Sequence, residues 1–282
     1  ASAPPAPFVS EDSVYGYITG LLDEARDSLL SGGGAFPFPM APGLGSFATP
    51  AQFVQFNRAL AAKAWILRAT DGTGCGATCY NAALAALSQS FLTANATDFQ
   101  VGAYFDYSTA PGGSLNELSD PLTGTTFFAL SENVTDAQTQ PGGARDQRVL
   151  DKLDSLTTPY TLSGFPLQGI YKFTVYFTGG SDDPTHPIPI IRDEELVLLD
   201  AEANIGLGNF ATAITDLDLV RTNAGLLAPT TLTPASPASA FIDELLYNRR
   251  YSLLWEQGTP WTDARRYGRL ASIPAQVPGG QV

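Results

Sequence analysis

Arg250, Glu256, Asp263, Arg265 and Arg266 crowd the last part of the chain. Two carboxylates among guanidinium groups are the raw material of a glycoside hydrolase, where one carboxyl protonates the leaving oxygen and the other serves as base or nucleophile. The same groups on a closing helix, beside Trp261, also suit a buried or half-buried ion-pair network that fixes that helix to its neighbours, and this second arrangement is expected here. Other chemistry has little to work with. His186 is the only histidine, and Cys75 and Cys79 are the only cysteines, so a His-dependent triad, a zinc site or an iron-sulfur cluster lacks its groups. Asp182 and Asp183 offer two carboxylates where calcium takes six or more oxygens, so no metal and no cofactor is expected. Binding chemistry is better represented. Tyr104-Phe105-Asp106-Tyr107 supplies flat apolar faces for sugar rings with a carboxylate acceptor between them, and alternation puts Phe105 on one face and Tyr104 and Asp106 on the other. Phe128 and Tyr160 are further ligand candidates, and strand core with ordinary surface tyrosines is the plainer alternative for all of them.

The elements that must position these residues are mostly helical. Over Ser10 to Leu30, Val14, Ile18, Leu21, Ala25 and Leu29 recur in steps of three and four, which predicts an amphipathic helix facing inward along that stripe and stopping at Gly32. Thr49-Pro50-Ala51-Gln52 is a capping box with proline in the first turn, and Phe53, Phe56, Leu60, Ala64 and Leu67 follow on one face. Tyr80, Leu84, Leu87 and Phe91 mark a third helix. Cys75 and Cys79, separated by three residues at the turn before it, are read as a local disulfide in an oxidising compartment, the alternative being two unpaired thiols.

Between about 95 and 190 the pattern changes to loops and short strands, with alternation at Phe99, Val101, Ala103 and Phe105 and again at Tyr171, Phe173, Val175 and Phe177. His186 falls in a Pro-flanked loop with no visible partner. Helical periodicity returns at Leu196, Leu199 and Ala203, breaks at Gly206-Leu207-Gly208-Asn209, and resumes from Phe210 to Val220. A last helix begins at Ser236-Pro237 and runs towards Trp255. The expected fold is mainly α: tetratricopeptide-like antiparallel helix pairs with a loop-rich insertion carrying short strands. The expected divisions of one domain over 1–282 are a helical part 8–93, the insertion 94–190, a helical part 191–270 and a tail 271–282.

Composition excludes further classes. The 282 residues carry 15 Lys+Arg against 28 Asp+Glu, a formal charge of −13, so the chain is no electrostatic nucleic-acid binder. Only 15% of residues are charged, against about 25% in an ordinary soluble domain. Asn95-Ala96-Thr97 and Asn133-Val134-Thr135 are glycosylation sequons, which makes Asn95 and Asn133 candidates for modification.

Two segments resemble a known family. Arg192 followed by Leu198-Leu199-Asp200-Ala201-Glu202-Ala203, and the hairpin end Arg221-Thr222-Asn223-Ala224-Gly225-Leu226, are similar to the opening of the C-terminal half of SusD/RagB-family proteins. Arg249-Arg250 through Glu256, Gly258, Trp261, Asp263, Arg265 and Arg266 to Gly268-Arg269 resembles the family's closing motif, with Ser252, Gln257 and Pro260 as departures. The resemblance implies a structural role for Arg192, Glu202, Arg250, Glu256, Trp261, Asp263 and Arg265. It also implies a non-enzymatic protein at the outer-membrane surface or outside the cell, which binds an oligosaccharide and caps a TonB-dependent transporter. The chain starts without the family's acylated cysteine, so a processed fragment or a shortened, non-lipidated branch is expected. A different class of reading is a structural subunit, in which copies of the chain associate into an extracellular filament or surface assembly.

Overall fold

The computed structural model describes residues 7–273, apart from 71, 73, 123–126 and 162–167. Helix α1 (Glu11–Ser31) is capped by the Ser10 hydroxyl, which accepts from the Ser13 amide, and gives way at Gly32. Helix α2 (Pro50–Ala69) opens with the expected capping box, in which Thr49 and Gln52 satisfy each other's amides. Helix α3 (Gly76–Leu87) starts at Cys75, whose side chain makes no cap hydrogen bond. A disulfide between Cys75 and Cys79, with Cα atoms 5.5 Å apart, clamps that first turn instead.

Strand β1 (Gly102–Phe105) follows, then the short helices α4 (Glu132–Thr135) and α5 (Gln147–Lys152). Strands β2 (Leu153–Thr161), β3 (Gln168–Phe173), β4 (Phe177–Thr178), β5 (Ser181–Asp182) and β6 (Ile188–Arg192) complete the insertion. These strands make three two-stranded antiparallel pairs, β1 with β6, β2 with β3 and β4 with β5. Helices α6 (Asp193–Leu207) and α7 (Phe210–Asn223) form a hairpin turned by Gly208, whose φ of 77° is a left-handed cap that glycine adopts without steric cost. Helices α8 (Ala238–Ser252) and α9 (Thr259–Arg266) close the bundle.

Helix α6 is the axis of the molecule. Leu196, Leu199 and Ala203 pack with Ala59, Ile66, Ala83 and Leu87 of α2 and α3, while Leu198, Ala201 and Ile205 pack with Leu217, Phe241 and Leu245 of α7 and α8. Such a helix is apolar nearly all round because it has neighbours on several sides. A third cluster joins the insertion to α8, with Trp255 stacked on Phe173 at 4.0 Å between ring centres.

Helix α1 is rotated from its expected setting. Val14, Ile18 and Leu21 are 44%, 38% and 45% exposed, and Ala25 is exposed as well, whereas Thr19 is buried and Leu22 packs on the core. The reason is electrostatic. Asp23 pairs with Arg58 at 2.7 Å and Asp12 with Arg68 at 2.7 Å, and both bonds require the polar side of α1 to face α2.

Two carboxyls meet in the α6–α7 hairpin. Burial pushes Asp216 up to about 8, and the charge of Asp200, to which it is hydrogen-bonded, adds to the rise. Folding therefore takes up a proton between the ordinary aspartate value of 3.8 and about 8, and stability falls as pH rises through that window. Asp216→Asn removes the titration but keeps a group able to bond to Asp200. It should stabilise the protein by roughly 2 kcal/mol above pH ~8 and by much less near pH ~5. Denaturant melts at the two pH values check this, and an equal shift at both would contradict it.

Candidate functional site

Charged residues of the two C-terminal motifs form buried networks that bind elements together. Glu202 of α6, 1% exposed, accepts from Arg249 of α8, from Arg266 of α9 and, at 2.6 Å, from the Tyr267 hydroxyl. Asp263 bridges the same two arginines at 2.9 and 3.1 Å. Burial alone would raise the Glu202 carboxyl, but Arg249 and Arg266 outweigh it and hold it at about 2. Arg192 and Glu256 form the second network. The Arg192 guanidinium donates to Glu256 at 3.2 Å twice, to Glu194, and to the Ser252 carbonyl at 2.6 Å. Burial opposes its charge, yet Glu194 and Glu256 raise its pKa above the ordinary value and keep it cationic.

Two of the expected structural residues lie elsewhere. Arg265 is exposed, and Arg250 points away from Glu202 to Asn133 of α4 and to Asp136, the residue that caps α4. The arginine missed in the sequence is Arg249, which continues the Phe241-Leu245 spacing and so lies on the buried side of α8. Trp261, to which the resemblance gives a structural role, is 57% exposed. Asp263 points inward to the arginines, and a residue two positions earlier lies about 200° around the helix. The inward side of α9 is filled by ion pairs, which leaves the indole outside.

Of the aromatic candidates, Tyr104 stands at a cavity. Strand β1 pairs Gly102 with Arg192 and Ala103 with Ile191, then slips so that Tyr104 faces Pro189. This irregularity next to Ala103 re-aims the following side chains, as a bulge does. Tyr104 then forms the wall shared by two hollows, of about 470 Å³ and about 510 Å³, and its hydroxyl donates to the Gln100 carbonyl at 2.5 Å. Burial raises its phenol pKa, partly offset by Arg192.

The smaller hollow also touches Tyr176, His186, Lys152, Arg192, Glu194 and Glu256. Its floor is thus the second ion network. Glu194 Oε1 has no hydrogen-bond partner among the described residues, and burial of that carboxyl is outweighed by Arg192 and Lys152, which keep it ionised. Lys152 is held at the Tyr251 and Ser252 carbonyls and lies 3.5 Å from Glu256. Burial lowers its pKa, with Glu256 opposing the fall. The chain's two other lysines are also paired, Lys63 with Glu195 at 2.6 Å and Lys172 with Asp120 at 2.8 Å.

The remaining candidates disperse. Asp106 accepts from the Gly43 amide at 2.6 Å and so ties β1 to the turn at 42–47. Tyr107 is half-buried, within electrostatic reach of Tyr176. Phe128 lies under the Lys172 ammonium, 5.5 Å from the ring centre, and lines neither hollow. Tyr160 pairs with Gly169 through its backbone, and its side chain lies outside the described residues. Tyr176 and His186, missed in the sequence, contact each other at 5.7 Å between ring centres, so the lone histidine does have a partner. Asp183 is held near 2 by hydrogen bonds from Thr185 and Thr178, which makes it the organiser of a turn. Among the described residues no group of three or more His, Cys, Asp or Glu side chains is placed to hold a metal. Asn95 is exposed and caps the turn at Thr97, while Asn133 Oδ1 accepts twice from Arg250.

Residues 122–278 match the sequence profile of the SusD family. The chain belongs to the SusD family. Solved structures agree at the level of fold. A SusD superfamily protein from Bacteroides vulgatus ATCC 8482 superposes with a TM-score of 0.59 at 14% identity, over 94% of this chain and 59% of that one. A SusD-like protein from Bacteroides fragilis NCTC 9343 gives 0.58 at 14%, over 93% and 61%. A SusD-like carbohydrate binding protein from the same strain gives 0.54 at 15%, over 92% and 59%. This chain therefore spans about three fifths of the length of these SusD-like structures. Comparison with curated protein sequences gives no match.

Proposed function

We propose that the chain is a non-enzymatic, extracytoplasmic saccharide-binding protein that holds an oligosaccharide across Tyr104 and passes it to a TonB-dependent transporter at the outer-membrane surface. The observation that carries the reading is the position of Tyr104. It is an aromatic wall between two hollows of small-ligand size, with ionised and hydrogen-bonding groups below it. Arg192 and Glu194 line the same hollow and supply charged groups below the ring. Family membership and the carbohydrate-binding neighbour support the ligand class. Among the described residues no helix is long and apolar enough to cross a membrane, which agrees with a peripheral location.

Binding and release are all this arrangement is asked to perform. The carboxylates of the two motifs are spent on arginines, and a general acid needs a proton that Glu202, held at about 2, does not keep. Tyr104→Ala should weaken oligosaccharide binding by about fivefold, since one stacked aromatic face contributes on the order of 1 kcal/mol. Tyr104→Phe keeps the ring and should retain most of the affinity. Calorimetric titration of both variants checks this, and unchanged affinity in Tyr104→Ala would remove the groove from the reading.

A further inference from the structure

Helix α9 is amphipathic in reverse. It buries Asp263 against two arginines and holds its one large apolar ring, Trp261, in solvent. A buried carboxylate is accounted for by its partners, but an exposed indole is not accounted for by the fold. Trp261 also separates two hollows. One, of about 520 Å³, lies towards α8 and α4, and the other, of about 310 Å³, lies towards α1 and Arg265. The larger hollow shares no lining residue with the two hollows at Tyr104.

The chemistry around the larger hollow narrows what it takes. Arg250 donates to Asp136 at 3.0 Å and twice to Asn133 Oδ1 at 3.2 Å, and Arg269 pairs with Asp243 at 2.5 Å. Both guanidiniums are committed to carboxylates, so an anionic ligand would have to displace a partner of the same charge. Asp136 and Asp243 are about half exposed and keep lone pairs turned to water, where hydroxyl groups can donate. An apolar platform rimmed by planar, charge-balanced acceptors and donors suits a neutral polyhydroxylated ring, whose C–H face stacks while its hydroxyls bond at the edge.

We propose that the hollow beside Trp261 is a second saccharide-binding site, for a neutral oligosaccharide, separate from the one at Tyr104. The ligand class rests on the saccharide-binding reading above, whereas the site rests on Trp261 and its rim. Calorimetric titration of the whole chain with neutral hexasaccharides (maltohexaose, cellohexaose and xylohexaose) at millimolar concentration tests it, together with Trp261→Ala, Trp261→Phe and Tyr104→Ala. The expected result is two binding events in the wild type. Trp261→Ala loses one of them by tenfold or more with its melting curve unchanged, Trp261→Phe loses less, and Tyr104→Ala loses the other. If Trp261→Ala leaves the isotherm unaltered while Tyr104→Ala abolishes it, this site is overturned and the Tyr104 reading stands. Loss in Trp261→Ala with none in Tyr104→Ala upholds this site and overturns the other. Absence of binding by every hexasaccharide overturns both.

Discussion

Glu202→Ala destabilises the protein by about 3–5 kcal/mol, the cost of leaving buried charges without their counter-ion. Glu202 is the carboxylate on which Arg249 and Arg266 converge, and those arginines come from α8 and α9. With it gone, two guanidiniums face each other across a dry contact and share only Asp263. Denaturant unfolding measures the loss, and a double variant, Glu202→Leu with Arg249→Met, should recover part of it because apolar replacement of a whole pair is tolerated better than removal of one partner. The same carboxylate sets an acid limit. Its folded pKa of about 2 lies below the ordinary value of 4.5, so the stabilisation is complete above pH 4.5 and drains away as pH falls towards 2. Glu202→Ala should flatten that part of the pH profile. A wild-type-like midpoint in the single variant would mean that the network is solvated and contributes little.

Gly102→Ala is expected to cost about 3 kcal/mol and to weaken saccharide binding as well. A Cβ at Gly102 would sit 2.7 Å from Arg192 Cα and 2.9 Å from Arg192 Cβ, and would press on the Ile191 carbonyl. Two of these are backbone atoms of the paired strand and the third is the Cβ fixed to it, so none can swing aside as a side-chain end can. β1 has to move away from β6, and it carries Tyr104 two residues further on, while Arg192 anchors the ion network under the smaller hollow. Gly34→Ala provides the control, since nothing lies within 4 Å of a Cβ there and little change is expected. Equal stability of the two variants would show that the β1–β6 contact is loose.

Local signals were read well where a local cause decides the structure. The Thr49–Gln52 cap and the Gly208 turn involve neighbours in sequence, so their residue types suffice. The Cys75–Cys79 pairing was legible for the same reason. Facing direction was not. Helix α1 has an apolar stripe that reads as inward, but its orientation is set by Arg58 and Arg68, residues that lie on another helix and carry no mark of their partners in the sequence. The exposure of Trp261 has a similar origin, because the inward side of α9 is claimed by arginines of which one, Arg249, lies on α8. Tyr104 was found as an aromatic, whereas the irregularity that seats it and the Glu194 and Lys152 groups beneath it come from strand pairing and helix packing over long separations.

The three lysine pairs have a chemical consequence. Lys63, Lys152 and Lys172 are the only lysines in the chain, and each ammonium is bonded to a carboxylate with a quarter or less of its side chain in solvent. Reducing sugars condense with uncharged, accessible amines to form imines that rearrange irreversibly. The ion pairs at Lys63 and Lys172 cover their amines in part or in full, and Lys152, whose pKa burial lowers, has its nitrogen occupied by two carbonyls and Glu256. For the saccharide binder proposed above, this arrangement limits glycation of its lysines by ligand, and reagents aimed at lysine amines will find few exposed sites to label.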